Sequence, residues 1–313
     1  MQHRPLGRSG LSIAPLMLGG NVFGWTADEA TSHAILDAFV DGGFNAIDTA
    51  DVYSGWVPGH AGGESETVLG TWLKARGRRD DVIIATKGGM WPAQPGLSAA
   101  NIIAACEGSL KRLRTDYIDL YQSHRDDADT PQEETAEAFG RLVKAGKVRA
   151  IGASNFDAAR LASALKVSAD QGLPRYDTLQ PPYNLMDRSI EGPLQQLCVD
   201  QTVAIISYYG LASGFLTGKY RSAADLGKSP RGRGAKAHLE SERGPKVLAA
   251  LDAVSAELGA TPAQVALAWV MARPAVAAPI ASATSLTQLK ELMGAARLTL
   301  DAGQMTRLDA ASA

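Results

Sequence analysis

The stretch Phe44-Asn45-Ala46-Ile47-Asp48-Thr49-Ala50-Asp51-Val52-Tyr53 reads as a short buried strand that stops abruptly at polar residues. Asp48 and Tyr53 fall just past its end, where a carboxylate and a phenol one loop turn apart can share a cleft. The same pattern recurs twice. Val82-Ile83-Ile84-Ala85-Thr86 leads into Lys87, and Tyr117-Ile118-Asp119-Leu120-Tyr121 leads after two residues into His124. Successive strand ends thus deliver Asp, Tyr, Lys and His, an acid-base set rather than a metal set or a nucleophile triad.

Around these strands the chain alternates. Gly7 and Ser9-Gly10 separate short extended segments in residues 3 to 13, a hairpin that precedes the main fold and is placed to plug one end of a barrel. Leu16-Met17-Leu18 is the first strand, followed by Gly19-Gly20-Asn21 and a helix over 28–42 whose apolar residues recur at helical spacing. The unit then repeats: helix 64–76, strand 82–86, helix 98–114, strand 117–121, helix 131–145, strand 148–152, helix 157–170, strand 176–180, helix 189–200, strand 202–207, helices 245–258 and 261–273, strand 275–280 and helix 285–295. Eight short apolar strands interleaved with helices predict a parallel sheet covered on its outer face, closed as a (β/α)8 TIM barrel with an N-terminal β-hairpin. An open doubly wound sheet is the alternative, but Gly19-Gly20-Asn21-Val22-Phe23-Gly24 is not the dinucleotide fingerprint and has no acidic residue placed for a ribose. The one long irregular stretch, Tyr220 to Gly244, carries Arg221, Lys228, Arg231, Arg233, Lys236 and Arg243. It reads equally as a solvated basic loop or as a closure over an anionic ligand.

Bulk properties bound the class. A chain of 313 residues suits one barrel domain over 1–313. Hydrophobic residues make up 45% and charged residues 20%, which is globular composition. A formal charge of -2, from 31 basic and 33 acidic residues, gives no nucleic-acid or anionic-membrane footprint and favours a small-molecule partner. Cys106 and Cys198 lack disulfide or metal spacing and read as reduced core thiols, and no apolar leader or membrane-length window is seen. The setting expected is cytoplasmic. No metal site is expected, and no oligomeric interface can be read.

A tyrosine hydroxyl, with a reference pKa near ~10, needs a neighbour that stabilises phenolate before it can trade a proton at neutral pH. Lys87 is that neighbour, Asp48 keeps the lysine charged and oriented, and His124 hydrogen-bonds the reacting oxygen. None of these groups moves electrons. A carbonyl-to-alcohol interconversion would therefore take its hydride from a nicotinamide cofactor.

In order and spacing, Ile47-Asp48-Thr49-Ala50-Asp51-Val52-Tyr53, Ala85-Thr86-Lys87 and Asp119-Leu120-Tyr121-Gln122-Ser123-His124 resemble the catalytic blocks of the aldo-keto reductase family. The likeness runs from the hairpin to about residue 295. It implies Tyr53 as general acid/base, Lys87 and Asp48 as its tuning pair and His124 as carbonyl orienter. It implies also that Ser154, Asn155 and Gln180 hold the nicotinamide carboxamide, that Tyr208 stacks on the ring, and that Gly20 and Asn21 line the cofactor. Leu211, Ser213, Leu216 and Lys219 resemble the pyrophosphate segment, and Ser282, Thr284, Gln288 and Glu291 the adenosine end. NADP(H) is the family's default cofactor, with NAD(H) left open.

Three departures stand out. Tyr209-Gly210-Leu211 replaces the family's Ser-Pro-Leu, which loosens the pyrophosphate turn. Leu292 stands where many relatives place Asn near the adenine, and Ser282 and Gln288 stand where some carry Lys and Arg for the 2'-phosphate. Without those cations, discrimination for NADP over NAD weakens. For a carbonyl or alcohol substrate, Trp25, Trp56 and Trp91, in loops after the first three strands, are the expected walls, with Asn21, Phe23 and Arg125 nearby. Aromatic walls suit an apolar or sugar-like compound.

Each of these residues alone has a plainer explanation: a turn cap, a packed aromatic, a surface lysine, a structural histidine. Jointly, on consecutive strand ends, they are hard to explain that way. Two other functions compete: a redox-sensing regulatory module that binds cofactor but turns over slowly, and a Schiff-base lyase using Lys87. A charged lysine beside Asp48 argues against the lyase. His3, His33, His60 and His238 receive no role.

Overall fold

In the computed structural model, which describes residues 2–229 and 232–313, the chain opens with an antiparallel hairpin, β1 (Arg4–Pro5) and β2 (Ser12–Ile13). Its turn needs a small residue: Gly7 has φ 59°, and a Cβ there would lie 2.3 Å from the Asp177 carbonyl oxygen. The barrel units follow: β3 (Met17–Gly19), α1 (Glu29–Asp41), β4 (Ala46–Asp48), α2 (Glu64–Arg76), β5 (Ile83–Gly88), a small hairpin of β6 (Met90–Trp91) and β7 (Gln94–Pro95), then α3 (Ala99–Leu113) and β8 (Ile118–Ser123). Next come α4 (Gln132–Lys144), β9 (Val148–Ser154), α5 (Ala158–Gln171), β10 (Tyr176–Gln180), α6 (Pro193–Asp200), β11 (Ala204–Ser207), α7 (Gly232–Leu239), α8 (Arg243–Leu258), α9 (Pro262–Met271), β12 (Val276–Ala281), α10 (Leu286–Ala295) and α11 (Ala302–Ala311).

Strands β3, β4, β5, β8, β9, β10, β11 and β12 pair in parallel and close on themselves, so the fold is the (β/α)8 barrel expected. Strand alternation divides the core in two. Met17, Ala46, Ala85, Leu120, Ala150 and Ala278 fill the lumen together with Leu6, Leu11 and Ile13 of the hairpin, which closes the end where the strands begin. Leu18, Ile47, Ile84, Ile151, Leu179 and Ile205 face outward against the helices. With one mouth plugged, the polar groups at the strands' C-terminal ends crowd the other.

Helix starts follow local chemistry. Asp28, Ser98, Asp157 and Ser285 each accept from a backbone N–H of the first turn, and Thr261 with Gln264 forms a reciprocal cap. Three features differ from expectation. Among the described residues of the 220–244 segment, a 3-10 turn over Ala223–Lys228 is capped by Ser222 and Asp225, and α7 lies further along. Its cations are largely engaged within the protein, Arg221 by Asp252, Lys228 by Asp225 and Lys236 by Glu240, while Arg231 lies outside the described residues. The sixth helix begins at Pro193 rather than 189, because Gly192, with φ 96° and ψ -130°, precedes a proline that suits the first helical position. Helix α11 extends the fold past residue 295. Cys106 and Cys198 are buried and unpaired, and burial pushes both thiols up to about 12.

Candidate active site

Asp48 is the last residue of β4 and Lys87 the fifth of β5, neighbouring strands paired in register. Both are buried, and Lys87 Nζ lies 2.7 Å from Asp48 Oδ2. Tyr53 arrives from the turn after β4, which the Thr49 and Asp51 N–H groups pin to the Ala85 and Lys87 carbonyls. Lys87 Nζ therefore donates to three oxygens: Asp48 Oδ2, the Thr49 carbonyl at 2.8 Å and Tyr53 Oη at 2.9 Å. An ammonium has three donors, and all three are used. The phenol itself donates to Asp48 Oδ2 at 3.3 Å.

The electrostatics differ from the expected acidified phenol. Burial, then the charge and hydrogen bond of Asp48, then Tyr209 and Tyr208, hold Tyr53 well above its ordinary range. Burial pulls Lys87 down while Asp48 supports its charge. The reason is local neutrality: Asp48 offsets the ammonium, so burial prevails and the phenol keeps its proton. The resting site thus presents a tyrosine that can give a proton, next to a cation placed to receive the resulting phenolate.

His124 follows β8, and its ring meets that of Tyr53 edge-on at 6.0 Å. Burial first, then Lys87 and Arg125, push it down to about 3, so the ring is neutral at physiological pH. Its Nδ1 has no protein partner. The next strand ends complete a network. Asn155, in a left-handed conformation at φ 57°, donates to the His124 carbonyl at 3.0 Å and accepts from Tyr208 Oη at 2.7 Å. Ser154 Oγ donates to the Gln180 carbonyl at 2.8 Å. Gln180 Nε2 reaches Asp48 Oδ1 at 2.9 Å, so the residue expected to hold a cofactor amide also fixes the carboxylate beside Lys87. Sequence could not show that bond, which spans 132 positions.

Gly20 is tied in by its N–H to the Asp48 carbonyl and by its carbonyl to Ser65 Oγ, each at 2.7 Å. Ser282 Oγ donates to Asn21 Oδ1 at 2.6 Å, joining the loops after β12 and β3. Gln288 Oε1 accepts from both the N–H and the hydroxyl of Thr284. After β11, Tyr209, Ala212 and Ser213 all have positive φ, and Gly214 continues the turn. Leu211 is partly buried and Lys219 exposed, its Nζ over the Tyr220 ring at 5.0 Å. Leu216 is wholly buried and packs in the core. The Glu291 carbonyl accepts from Gln264, and Leu292 packs inward.

Of the expected walls, Trp56 meets Trp25 at 5.7 Å and Tyr53 at 6.0 Å, ring centre to ring centre. Trp91 sits apart from that cluster: its indole donates to the Ala61 carbonyl and its face receives Arg112. Phe23 is fully buried in the helix-sheet layer and is no wall. Arg125 is exposed beside His124, while Asp126 is held by Arg160. Tyr209, 59% exposed beside Tyr208, is an unforeseen candidate. Among the described residues no cluster of three metal-ligating side chains occurs, and no helix is long and apolar enough to cross a membrane.

A family model for the aldo/keto reductase family matches residues 15–313. The chain belongs to that family. It is 36% identical over 310 residues to the uncharacterized oxidoreductase YrpG of Bacillus subtilis, covering 96% of this chain and 93% of the other. It is 34% identical over 343 residues to protein Tas of Escherichia coli, covering 99% and 97%. A probable voltage-gated potassium channel subunit beta of rice is 36% identical over 310 residues, covering 94% and 91%. As an aldo/keto reductase the chain is an NAD(P)-dependent oxidoreductase, of a family acting on small-molecule carbonyl substrates. The donor set suits such a cofactor: Ser, Asn and Gln side chains on adjacent strand ends complement an amide, and a tyrosine ring lies beside them.

Proposed function

We propose that this protein interconverts an aldehyde or ketone and the corresponding alcohol, with Tyr53 as general acid/base. The observation that carries this reading is Lys87 Nζ bonded at once to Tyr53 Oη and Asp48 Oδ2 at the open rim. A nicotinamide cofactor, when bound, supplies or accepts the hydride. In reduction, Tyr53 passes its proton to the substrate oxygen and Lys87 stabilises the phenolate left behind. Asp48, oriented by Gln180, holds the lysine in place. His124, neutral at physiological pH, is available as a hydrogen-bond partner of the substrate oxygen without contributing charge.

Ser154, Asn155 and Gln180 would hold the nicotinamide amide and Tyr208 its ring. The 211–219 turn with Lys219 would hold the pyrophosphate, and Gly20, Asn21, Ser282, Thr284, Gln288 and Glu291 the remainder. NADP(H) is the proposed cofactor, with weak preference over NAD(H), because Ser282 and Gln288 place no fixed cation for a 2'-phosphate. Trp25 and Trp56 would wall an apolar or sugar-like substrate. One domain over residues 1–313, working in the cytoplasm on a small molecule, completes the proposal.

A panel of NADPH and NADH with aldehydes such as a nitrobenzaldehyde tests it: cofactor oxidation should be seen with both, and none with either would refute the reading. Similarity to the rice channel subunit motivates a second reading, a redox-sensing module with slow turnover. Cofactor retained through purification with negligible turnover would support that one instead.

A further inference from the structure

Lys87 has a second acidic neighbour that the proposed chemistry does not use. Asp51 is fully buried, and its N–H donates to the Lys87 carbonyl at 3.1 Å. Neither of its carboxylate oxygens has a well-formed hydrogen bond to a protein group, the Val52 amide standing only near enough to pull on its charge. Around it lie Glu66 of α2, Lys87 of β5 and Arg112 of α3, with Tyr121 of β8, whose hydroxyl is likewise unpartnered, close enough to feel its charge.

Counting charges in this pocket isolates the odd group. Asp48 pairs with Lys87. Glu66, also fully buried, pairs with Arg112 Nε at 2.6 Å and accepts from Thr86 Oγ1 at 2.5 Å. Two cations answer two carboxylates, and Asp51 is the third acid. A buried unpaired carboxylate is costly, so such a group keeps its proton or finds a cation.

We infer that Asp51 is a proton-carrying positioning residue for Lys87: its neutral form leaves the lysine's charge to Asp48 and Glu66, and its ionised form adds a further carboxylate that secures the ammonium. The inference rests on the proposed role of Lys87. Burial and the Glu66 charge raise the Asp51 carboxyl to about 7, against the pull of Arg112, the Val52 amide and Lys87. For Lys87 the opposing influences have the matching signs: burial weakens its hold on its proton, while Asp48, Asp51 and Glu66 strengthen it. As Asp51 ionises around neutrality, it joins the influences that keep the lysine charged.

The test compares wild type with Asp51→Asn, which keeps shape and removes the titration. A carboxyl raised from its ordinary 3.8 stabilises the fold fully below pH ~4, and that stability is lost as pH rises to about 7. The melting temperature of Asp51→Asn relative to wild type should therefore climb between pH 4 and 7 and level off above. A pH-independent difference would overturn the protonation. With NADPH and a nitrobenzaldehyde, the alkaline limb of kcat/KM should move to lower pH in Asp51→Asn by about half a unit or more. Coincident limbs would overturn the coupling while leaving the proposed reaction standing. Wild type without turnover would refute the reaction, and the role given to Asp51 with it. If Asp51→Asn does not fold, Glu66→Gln serves: removing the repelling charge should move the wild-type stability inflection toward acid, and an unmoved inflection refutes the inference.

Discussion

Asp119 near the base of the barrel and Asp48 at its rim are both fully buried carboxylates, yet their surroundings treat them differently. Asp119 is saturated: Arg79 and the Ile84 N–H hold one oxygen, Arg149 the other, and both guanidiniums keep some contact with solvent. Asp48 has only a buried lysine, a phenol and one amide, and the groups around it include His124 Nδ1, Gln122 Nε2 and both Asp51 oxygens without protein partners. The base spends its polar groups on stability. The rim keeps unmet hydrogen-bonding capacity and displaced proton affinities, the condition under which a ligand and a mobile proton have something to bind.

That contrast can be broken most severely at Lys87. Lys87→Met should leave Asp48 buried without its cation, costing about 3–5 kcal/mol of stability and reducing turnover to background, as read by denaturant unfolding and cofactor oxidation. Stability retained within error would mean that the rim pair is not buried as described. At the base, Asp119→Asn should cost about 1–3 kcal/mol and leave kcat within about twofold, since its guanidinium partners can turn to water. A large loss of kcat in a folded Asp119→Asn would dissolve the division of labour.

His124 sharpens the comparison through pH. Its affinity for protons is depressed from 6.5 to about 3, so the fold is favoured above pH ~6.5 and that contribution disappears as pH falls toward 3. His124→Gln should flatten the acid side of a melting-temperature profile, and no histidine inflection should appear in kcat between pH 6 and 8. The smallest effect is expected at Trp56, 49% exposed. Trp56→Ala should raise KM for an apolar aldehyde a few-fold with kcat nearly kept.

The strand ends were legible because each barrel strand is a short apolar run broken by a residue too polar to bury without reason. Asp48, Lys87 and His124 announce themselves in this way, and the parallel register makes them neighbours. Other features depend on partners far along the chain. The turn after Tyr220 looks irregular in a Gly, Ser and Pro-rich context, and the Arg221–Asp252 pair helps anchor it. Helix α11 did carry a local signal, the reciprocal cap of Asp301 and Gln304. Phe23 and Trp91 follow strands as a substrate wall should, yet one packs inward and the other against Arg112. Residue order says which groups reach the rim, not which way a large side chain turns. The protonated state of Tyr53 was hidden for the same reason, since it depends on how closely Asp48 balances Lys87.

As proposed, the Tyr53 hydroxyl supplies the transferable proton from a site otherwise built to hold cofactor, and measuring carbonyl reduction and NADPH binding side by side in wild type and Tyr53→Phe separates the two roles. Phenylalanine should lower kcat by about 10²- to 10⁴-fold with fluorescence quenching by NADPH unchanged. Undiminished reduction by the phenylalanine variant would contradict the claim and move the acid to another residue.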